Sequence, residues 1–209
     1  MWKHTLMDDT IQNLSISNSG YIHCRSQYYT AFNTLYENNV YRINHGLNEL
    51  IGDIDCGTWA ISYLLSMFDS VDKTTLFKPL IAYVNGGEMD LKTLQHYSCY
   101  MDISYPMFSS ECTIKDIVVS AIDISRIQTT AANIREMFLI NKDRFERPIQ
   151  CVGNEVFKVM AAIGYSYGKQ IFCFPWMSRK LFDSFHQNIT QAIDVLIQNN
   201  ATVILPLGK

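Results

Sequence analysis

The sequence contains no long apolar run, no basic cluster and no closely paired cysteines. A membrane-spanning helix needs about 18 or more consecutive apolar residues, so we expect none here. The amino-terminal stretch carries Asp8 and Asp9 where an export signal would be apolar, and we therefore expect a cytoplasmic protein. A formal net charge of −3, without any run of lysines and arginines, argues against a nucleic-acid partner.

The cysteines and histidines are not spaced as the ligands of a metal site. No C-x-x-C pair occurs among the 6 cysteines, and His23 beside Cys24 supplies too few ligands. We expect the cysteines to be reduced and mostly buried, where they act as small apolar side chains. We expect no bound metal.

The residues that are present form a pattern typical of a folded domain, because 48% of the chain is hydrophobic and 18% is charged. Alternation, helical stripes and apolar runs predict the following elements: two or three short strands over 21–43, a strand from Gly46 into Gly52, a helix after Gly57, a hairpin at Gly86-Gly87, a strand within 96–101, helices over 113–125, 129–139, 154–167 and 180–200, and buried strands over 169–174 and 202–209. Thr113 and Asn154 stand at expected helix N-caps. This order predicts an α/β fold with a mostly parallel sheet and an inserted helical subdomain.

The stretch GDIDCGTWA, residues 52–60, has the glycine spacing of a phosphate-binding loop, G-x-x-x-x-G-K-[ST]. Gly52 and Gly57 occupy the two glycine positions, between an apolar strand and a helical pattern. Thr58 stands where the loop's lysine would be, and Trp59 stands at the serine or threonine position. The frame of a nucleotide site is therefore present without its reactive side chains.

From this loop onward, the order of motifs resembles that of the ATP-binding cassette (ABC) ATPases, the nucleotide-binding subunits of ABC transporters, over about residues 20–209. INHGLNELIGDIDCGTWAISYLL is similar to the family's Walker A strand, loop and helix. SCYMDISYPMFSSECTIKDIV looks like its Q-loop segment, and CVGNEVFKVMAAIGYSYGKQIFCFPWMS like its signature motif and Walker B strand. ATVILPLGK resembles the strand that ends at the switch histidine.

This resemblance implies an α/β, P-loop NTPase-like fold, with antiparallel N-terminal strands before the mostly parallel sheet. It implies one ABC ATPase-like domain over 1–209, with its core in about 20–100 and 168–209 and its helical subdomain over about 103–167. The first twenty residues have no counterpart in the family. We expect a frayed end or an arm for a partner there.

The family's functional positions carry other residue types in this sequence. The degenerate signature is Val152, Gly153, Asn154 and Glu155, where the family has Ser-Gly-Gly-Gln. The degenerate Walker B end is Phe174 at the aspartate and Pro175 at the catalytic glutamate, followed by Trp176. Met101 or Asp102 falls on the Q-loop glutamine, and Gly208 falls on the switch histidine.

The resemblance therefore implies a site without catalytic residues. In the family, the loop lysine binds the outer phosphates. The Walker B aspartate and the loop hydroxyl bind Mg²⁺, and a glutamate polarises the attacking water. We expect Trp59 to bring its ring to the place of Mg²⁺. Any remaining nucleotide binding is expected on the degenerate loop: Gly52, Asp53, Asp55, Cys56, Gly57, Thr58 and Trp59. We expect no hydrolysis and no cofactor, and ATP with Mg²⁺ only if the chain is still active.

The acidic loop residues allow two interpretations. Asp53 and Asp55 are either tolerated in a turn, or Asp55 folds over the following helix N-terminus and takes the anion position itself. Cys56 lies near that N-terminus, but the neighbouring aspartates disfavour a thiolate. Tyr28 and Tyr29 resemble the family's adenine-stacking aromatic, although a strand position in the core or on the surface explains them as well.

Three functions compete at this stage. The favoured one is a pseudo-ATPase that docks on a membrane permease or on a second, active ATPase subunit, as a homodimer or heterodimer, and reaches the membrane only through that partner. The second is an ABC ATPase that hydrolyses ATP slowly, with Asp102 as a metal ligand or with Lys158 or Lys169 as the cation. The third is an unrelated α/β protein whose motifs match by accident.

Overall fold

The computed structural model describes residues 11–17, 22–25, 32–35, 40–54, 58–67, 81–108 and 111–209, with backbone alone for residue 17, 22–25, 32–35 and residue 40. Asp55, Cys56, Gly57 and the Tyr28-Tyr29 pair lie outside these ranges. The two interpretations of Asp55 and the interpretations of Cys56 and of the tyrosine pair therefore stay predictions.

A four-stranded parallel sheet forms the centre of the protein. Its strands are β5 (Gly46–Ile51), β10 (Thr202–Leu207), β9 (Ile171–Cys173) and β8 (Ser98–Tyr100), in that spatial order. All six residues of β10 are buried, as are all three of β9 and of β8. Continuously apolar strands of this kind need cover on both faces of a parallel sheet. The predicted buried strands over 169–174 and 202–209 are confirmed.

Helices α1 (Thr58–Ser66) and α7 (Arg179–Gln198) pack against this sheet. Helix α1 lies across β8, β9 and β10, and every one of its residues from 59 to 66 is buried. Helix α7 connects β9 to β10 and contacts β10 and β5. Ser178 caps α7 because its hydroxyl accepts the Leu181 amide. Within the described ranges, no helix combines the length and the apolar character of a membrane span.

An antiparallel sheet joins the same hydrophobic core. It contains β4 (Val40–Asn44), β1 (Asn13–Ser17), β6 (Ile81–Val84) and β7 (Gly87–Met89), and β2 (Ile22–Arg25) and β3 (Phe32–Leu35) form a separate hairpin. Strand β1 pairs with both β4 and β6 and buries Leu14 and Ile16. The expectation of a frayed end or an arm for a partner in the first twenty residues is therefore wrong for 11–17, because 13–17 form an interior strand of this sheet and Ile11 is buried.

The helical subdomain is inserted between β8 and β9. It contains α3 (Ile114–Ser125), α4 (Ala131–Met137), α5 (Lys142–Phe145), short 3-10 turns at Ile149–Cys151 and Gly153–Glu155, and α6 (Val156–Ser166). Thr113 caps α3 as predicted, because its side chain accepts the Asp116 amide. The N-cap predicted at Asn154 is wrong, because the 3-10 turn precedes α6 and Glu155 takes the cap position without a side-chain bond.

Helix α2 (Leu91–Tyr97) was not predicted as a helix. The polar return after the hairpin turn is β7, as expected, and the chain then turns directly into α2. Asp90 begins it by accepting hydrogen bonds from the Thr93 hydroxyl and the Thr93 amide, and these two bonds hold the pKa of the Asp90 carboxyl below its usual value. An aspartate three residues before a threonine was the available signal.

Candidate functional site

The positions that the sequence assigned to a nucleotide site meet at one edge of the parallel sheet. Gly52 follows β5, Phe174 follows β9 and Gly208 follows β10, while Met101 follows β8. Ligands of open α/β sheets bind outside the carboxyl ends of the strands. The topology therefore brings the predicted Walker A, Walker B, switch and Q-loop positions together at this edge.

Gly52 is held by its backbone at the start of the degenerate loop. Its N–H donates to the carbonyl oxygen of Leu207 at 2.8 Å, which continues the pairing of β5 with β10 by one residue. Gly52 is buried and Asp53 is exposed. Thr58 is half-buried at the start of α1 and has no charge with which to meet a phosphate.

The side chain of Trp59 lies in the hydrophobic core. Its side chain is fully buried, and its ring meets Tyr63 edge-on at 6.2 Å between centroids. Tyr63 in turn meets Tyr100 of β8 at 5.7 Å. The expectation that Trp59 brings a ring to the Mg²⁺ position is wrong, because the apolar face of α1 carries it into the core.

The degenerate Walker B end is also part of the core. Phe174 has no exposed surface and stacks on Phe157 of α6, with 5.8 Å between ring centroids and 27° between planes. Phe157 meets Phe185 of α7 edge-on at 5.7 Å. Phe174 thus connects the sheet to two helices through aromatic packing, and Pro175 after it is half-buried.

A second indole, that of Trp176, lies at this edge of the sheet, which we call the nucleotide edge after the positions that the sequence predicts there. Its Nε1 donates a hydrogen bond to the carbonyl oxygen of Gly52 at 2.9 Å. This bond joins the segment after β9 to the end of β5, across β10, which lies between them. Two backbone hydrogen bonds join the segment after β9 to the end of β10: the Gly208 N–H donates to the Met177 carbonyl, and the Met177 N–H donates to the Pro206 carbonyl.

Gly208 is the residue that makes room for this indole. A Cβ placed on Gly208 would lie 3.0 Å from Cζ2 of Trp176 and 3.3 Å from Cα of Ser178. Any side chain at position 208, including a histidine, would therefore displace Trp176 or the start of α7. Trp176, bonded to Gly52 and packed on Gly208, forms one unit with these two glycines. We call this unit the Trp176 plug.

The sequence does not single out Trp176 as part of the site. Its contact there is a hydrogen bond to Gly52, which lies 124 residues away along the chain. An indole just after the Walker B position, beside a glycine at the switch position, was the signal that could have indicated it.

The residues at the signature position form a polar network within the helical subdomain. Glu155 accepts a hydrogen bond from Lys158 Nζ at 3.3 Å and lies 3.5 Å from Arg144. Arg144 also donates to Asn154 Oδ1 at 2.8 Å. Val152 is buried and supplies no hydroxyl. The polar groups at this position therefore satisfy one another.

No protein-family model matches the sequence, and no curated protein matches it. Solved structures do resemble the fold. An ABC transporter ATP-binding protein from Pyrococcus furiosus has a TM-score of 0.61 at 11% identity, over 95% of this chain and 91% of that one. An ATP-binding cassette of an ABC transporter in its ADP conformation has a TM-score of 0.60 at 11% identity, over 95% and 82%.

The chain has the fold of the ABC transporter ATP-binding subunits. A bacterial Atm1-family ABC exporter with ATP bound also matches, with a TM-score of 0.57 at 12% identity, over 94% of this chain and 34% of that one. The predicted α/β, P-loop NTPase-like fold, with its parallel sheet, antiparallel sheet and helices, is confirmed. This shared fold argues against the third interpretation, in which the motifs match those of the family by accident.

The lysines that could replace the missing loop lysine of this ABC-type fold are engaged elsewhere. Lys158 Nζ donates to the Leu139 carbonyl at 2.8 Å and is paired with Glu155. Lys169 Nζ donates to the His96 carbonyl at 2.6 Å, and burial lowers its pKa. Neither contact involves the described part of the loop.

The side chains at the metal positions of the ABC-type fold do not fit Mg²⁺. The ion prefers oxygen ligands in octahedral geometry, whereas Trp59 and Phe174 offer apolar rings turned into the core. Asp102 at the Q-loop position directs one carboxylate oxygen to the Ser104 amide at 2.9 Å. Within the described residues, no group of three or more His, Cys, Asp or Glu could hold a metal ion.

The described cysteines are free thiols. Cys99 and Cys173 are fully buried in β8 and β9, and Cys112 and Cys151 are exposed. Burial raises the pKa of Cys99 to about 12 and raises the pKa of Cys173 further. A thiol with so high a pKa is not a nucleophile at neutral pH, so the two buried cysteines serve as core side chains.

Proposed function

We propose that this chain is a degenerate ABC-type nucleotide-binding domain that does not hydrolyse ATP and that acts as a partner or regulatory subunit of an ABC transporter. The Trp176 plug is the observation that carries this proposal. The indole is hydrogen-bonded to Gly52 and packed on Gly208 at the strand ends where phosphates and water would need space. It supplies neither positive charge nor a metal ligand.

The side chains at this edge provide little of what phosphoryl transfer needs. Catalysis of that reaction is mostly positioning and electrostatic stabilisation by a lysine, a metal ion and a water-orienting group. Thr58, Phe174 and Pro175 stand at those positions and provide none of them. Loss of the lysine's charge-assisted hydrogen bond, worth about 1.5–3 kcal/mol, weakens nucleotide binding roughly ten- to a hundredfold by itself.

The proposed partners are a membrane permease or an active ATPase subunit, with this chain in a homodimer or heterodimer and at the cytoplasmic face of the membrane only through its partner. The likeness to ABC transporter ATP-binding subunits supports this context. The described strands, helices and helix caps are regular, whereas the residues predicted at the catalytic positions are of other types than those of the family. Selection for a binding surface leaves this combination, because a surface needs the scaffold and not the reaction.

The competing function, a slow ATPase with substitute residues, finds no support among the described side chains. Lys158 and Lys169 are bound to other groups, and burial disfavours the charged form of Lys169. Within the described residues, Asp102 belongs to no group of three or more His, Cys, Asp or Glu that could hold a metal ion. These contacts apply to the described part of the chain.

Calorimetric titration with ATP and with ADP, with and without Mg²⁺, tests the nucleotide half of the proposal. We expect no heat of binding at millimolar nucleotide and no phosphate release, while an intact ABC ATP-binding subunit assayed in parallel shows both. Micromolar affinity that depends on Mg²⁺ would contradict the proposal and would favour the slow ATPase.

Co-purification of the tagged chain from its native membranes tests the partner half. Recovery of a permease or an intact ATPase subunit of an ABC transporter, in a complex that survives size-exclusion chromatography, is the expected result. A chain that elutes without either, from membranes that contain both, would contradict the proposed partnership and would leave the nucleotide result unaffected.

A further inference from the structure

A cavity of about 480 Å³ lies between the segment after β8, the start of α6 and the segment that joins β9 to α7. Binding sites for small molecules commonly have volumes of about 300–1,000 Å³. Trp176 is shared between the Trp176 plug and the wall of this cavity. The cavity therefore lies beside the nucleotide edge, but its lining is mostly apolar and does not suit phosphate groups.

The walls of the cavity are apolar and adaptable. Three buried methionines contribute to them, Met101, Met160 and Met177, together with the aromatic rings of Phe157 and Trp176. Methionine side chains are flexible and polarisable, so they fit apolar ligands of differing shape. Such walls offer nothing to compensate the desolvation of a polyphosphate.

The mouth of the cavity is apolar as well. Ile103 and Leu181 line it and are 43% and 45% exposed, which is unusual for large aliphatic side chains. Solvent contact at these two residues costs free energy that a ligand with an apolar body would recover. The mouth thus favours an occupant that continues the apolar surface outward.

Asp102 is the charged residue of the lining. Its Oδ1 accepts the amide and the hydroxyl of Ser104, which fixes the carboxylate in a turn. Among the described residues, no lysine or arginine forms an ion pair with it. A negative charge without a cationic partner at the wall of an apolar cavity attracts a cation and repels an anion.

We propose that this cavity binds a small amphiphilic cation, with an apolar or aromatic body between the methionines and an amine that faces Asp102. The aromatic side chains of Phe157 and Trp176 in the lining provide apolar surface for the body of such a ligand. This inference goes beyond the proposed non-hydrolysing role and does not rest on it, because it is argued from the cavity, its methionines and Asp102 alone.

Three ligands with one body and different head groups test the proposal: 4-phenylbutylamine, 4-phenylbutan-1-ol and 4-phenylbutyrate, titrated at neutral pH and low ionic strength with ligand-detected NMR. We expect the amine to bind about five- to tenfold more tightly than the alcohol, as a charge-assisted contact with a half-buried carboxylate predicts, and the carboxylate to bind most weakly. Equal or tighter binding of the carboxylate, or no binding of any of the three at millimolar concentration, would overturn the proposal.

Two variants and a matched control localise the binding. Asp102→Asn is expected to remove the advantage of the amine while the affinity of the alcohol stays unchanged, and Asp123→Asn, an exposed aspartate of α3 outside the lining, is expected to change neither. Leu181→Trp at the exposed mouth is expected to weaken amine and alcohol alike without disturbing the core. An amine preference that survives Asp102→Asn in a folded protein would contradict the assigned site.

Discussion

The predicted Walker B position and the predicted signature position lie in different environments. Phe174, at the first, is apolar and belongs to the core, where its ring stacks on Phe157. Glu155, at the second, is polar and is paired with Arg144 and Lys158. The first position is therefore held by aromatic packing and the second by a network of polar side chains.

This difference follows from where the two positions lie. The Walker B end continues a buried strand between other buried strands, so a polar side chain there would need a partner that the core does not supply. The signature position begins α6 beside α5, where charged side chains of α5 can reach it. Burial therefore explains why the residue at the first position is apolar and the residues at the second are polar. The following changes test that contrast, from the largest expected effect to the smallest.

Phe174→Asp should be the most damaging change, because it puts an unpaired carboxylate into the aromatic core and removes the stacked ring. We expect a loss of about 4 kcal/mol or more in the free energy of unfolding, measured by urea denaturation. Phe174→Leu keeps the site apolar and should cost about 1.5 kcal/mol. Equal stability of the two variants would mean that the position is open to solvent, contrary to its burial.

Glu155→Ala should cost less, although it removes the acidic partner of a lysine whose side chain is only 6% exposed. We expect a loss of about 3 kcal/mol, since breaking a buried pair leaves an uncompensated charge. The matched control is Glu136→Ala, which breaks the pair with Arg135 at a glutamate that is 70% exposed, and which should cost under about 0.5 kcal/mol. Similar losses in both variants would show that the network does not depend on burial.

Gly208→Ala tests the Trp176 plug. The new methyl group would lie 3.0 Å from Trp176 Cζ2, and we expect a loss of about 1–2 kcal/mol in thermal or urea unfolding. In a Trp176→Ala background the same change should be nearly neutral, which gives a coupling energy of about 1 kcal/mol in a double-mutant cycle. Additive losses would show that position 208 and the indole do not share this space.

Trp176→Phe should have the smallest effect, because it keeps an aromatic ring and removes mainly the hydrogen bond from Nε1 to the Gly52 carbonyl. We expect a loss of about 1 kcal/mol in the free energy of unfolding. Faster hydrogen exchange of the Gly52 amide, which bonds to Leu207, would locate the effect at the end of β5. Unchanged stability together with unchanged exchange would mean that the bond does not hold the loop.

Much of the architecture could be predicted because it depends on local patterns. The helical stripe of 180–200 predicted α7, and the apolar runs predicted β9 and β10, since periodicity and burial are encoded within each segment. Strand β1 was missed because N-L-S-I-S alternates over too few residues to distinguish it from a loop, and its pairing with β4 and β6 is non-local. The short helix α2 was missed because its single cap signal follows a hairpin.

The sequence by itself determined the residue identities and the order of the motifs, and from these the resemblance predicts that Thr58, Phe174, Pro175 and Gly208 fall on catalytic positions of the ABC ATPases. Only the tertiary structure decided that Trp59 lies in the core and that Trp176 lies at the nucleotide edge, bonded to a carbonyl 124 residues away. The spatial order of β5, β10 and β9 brings those residues together. Non-local strand pairing of this kind leaves no periodic trace in either segment, so the contact could be seen only in the folded chain.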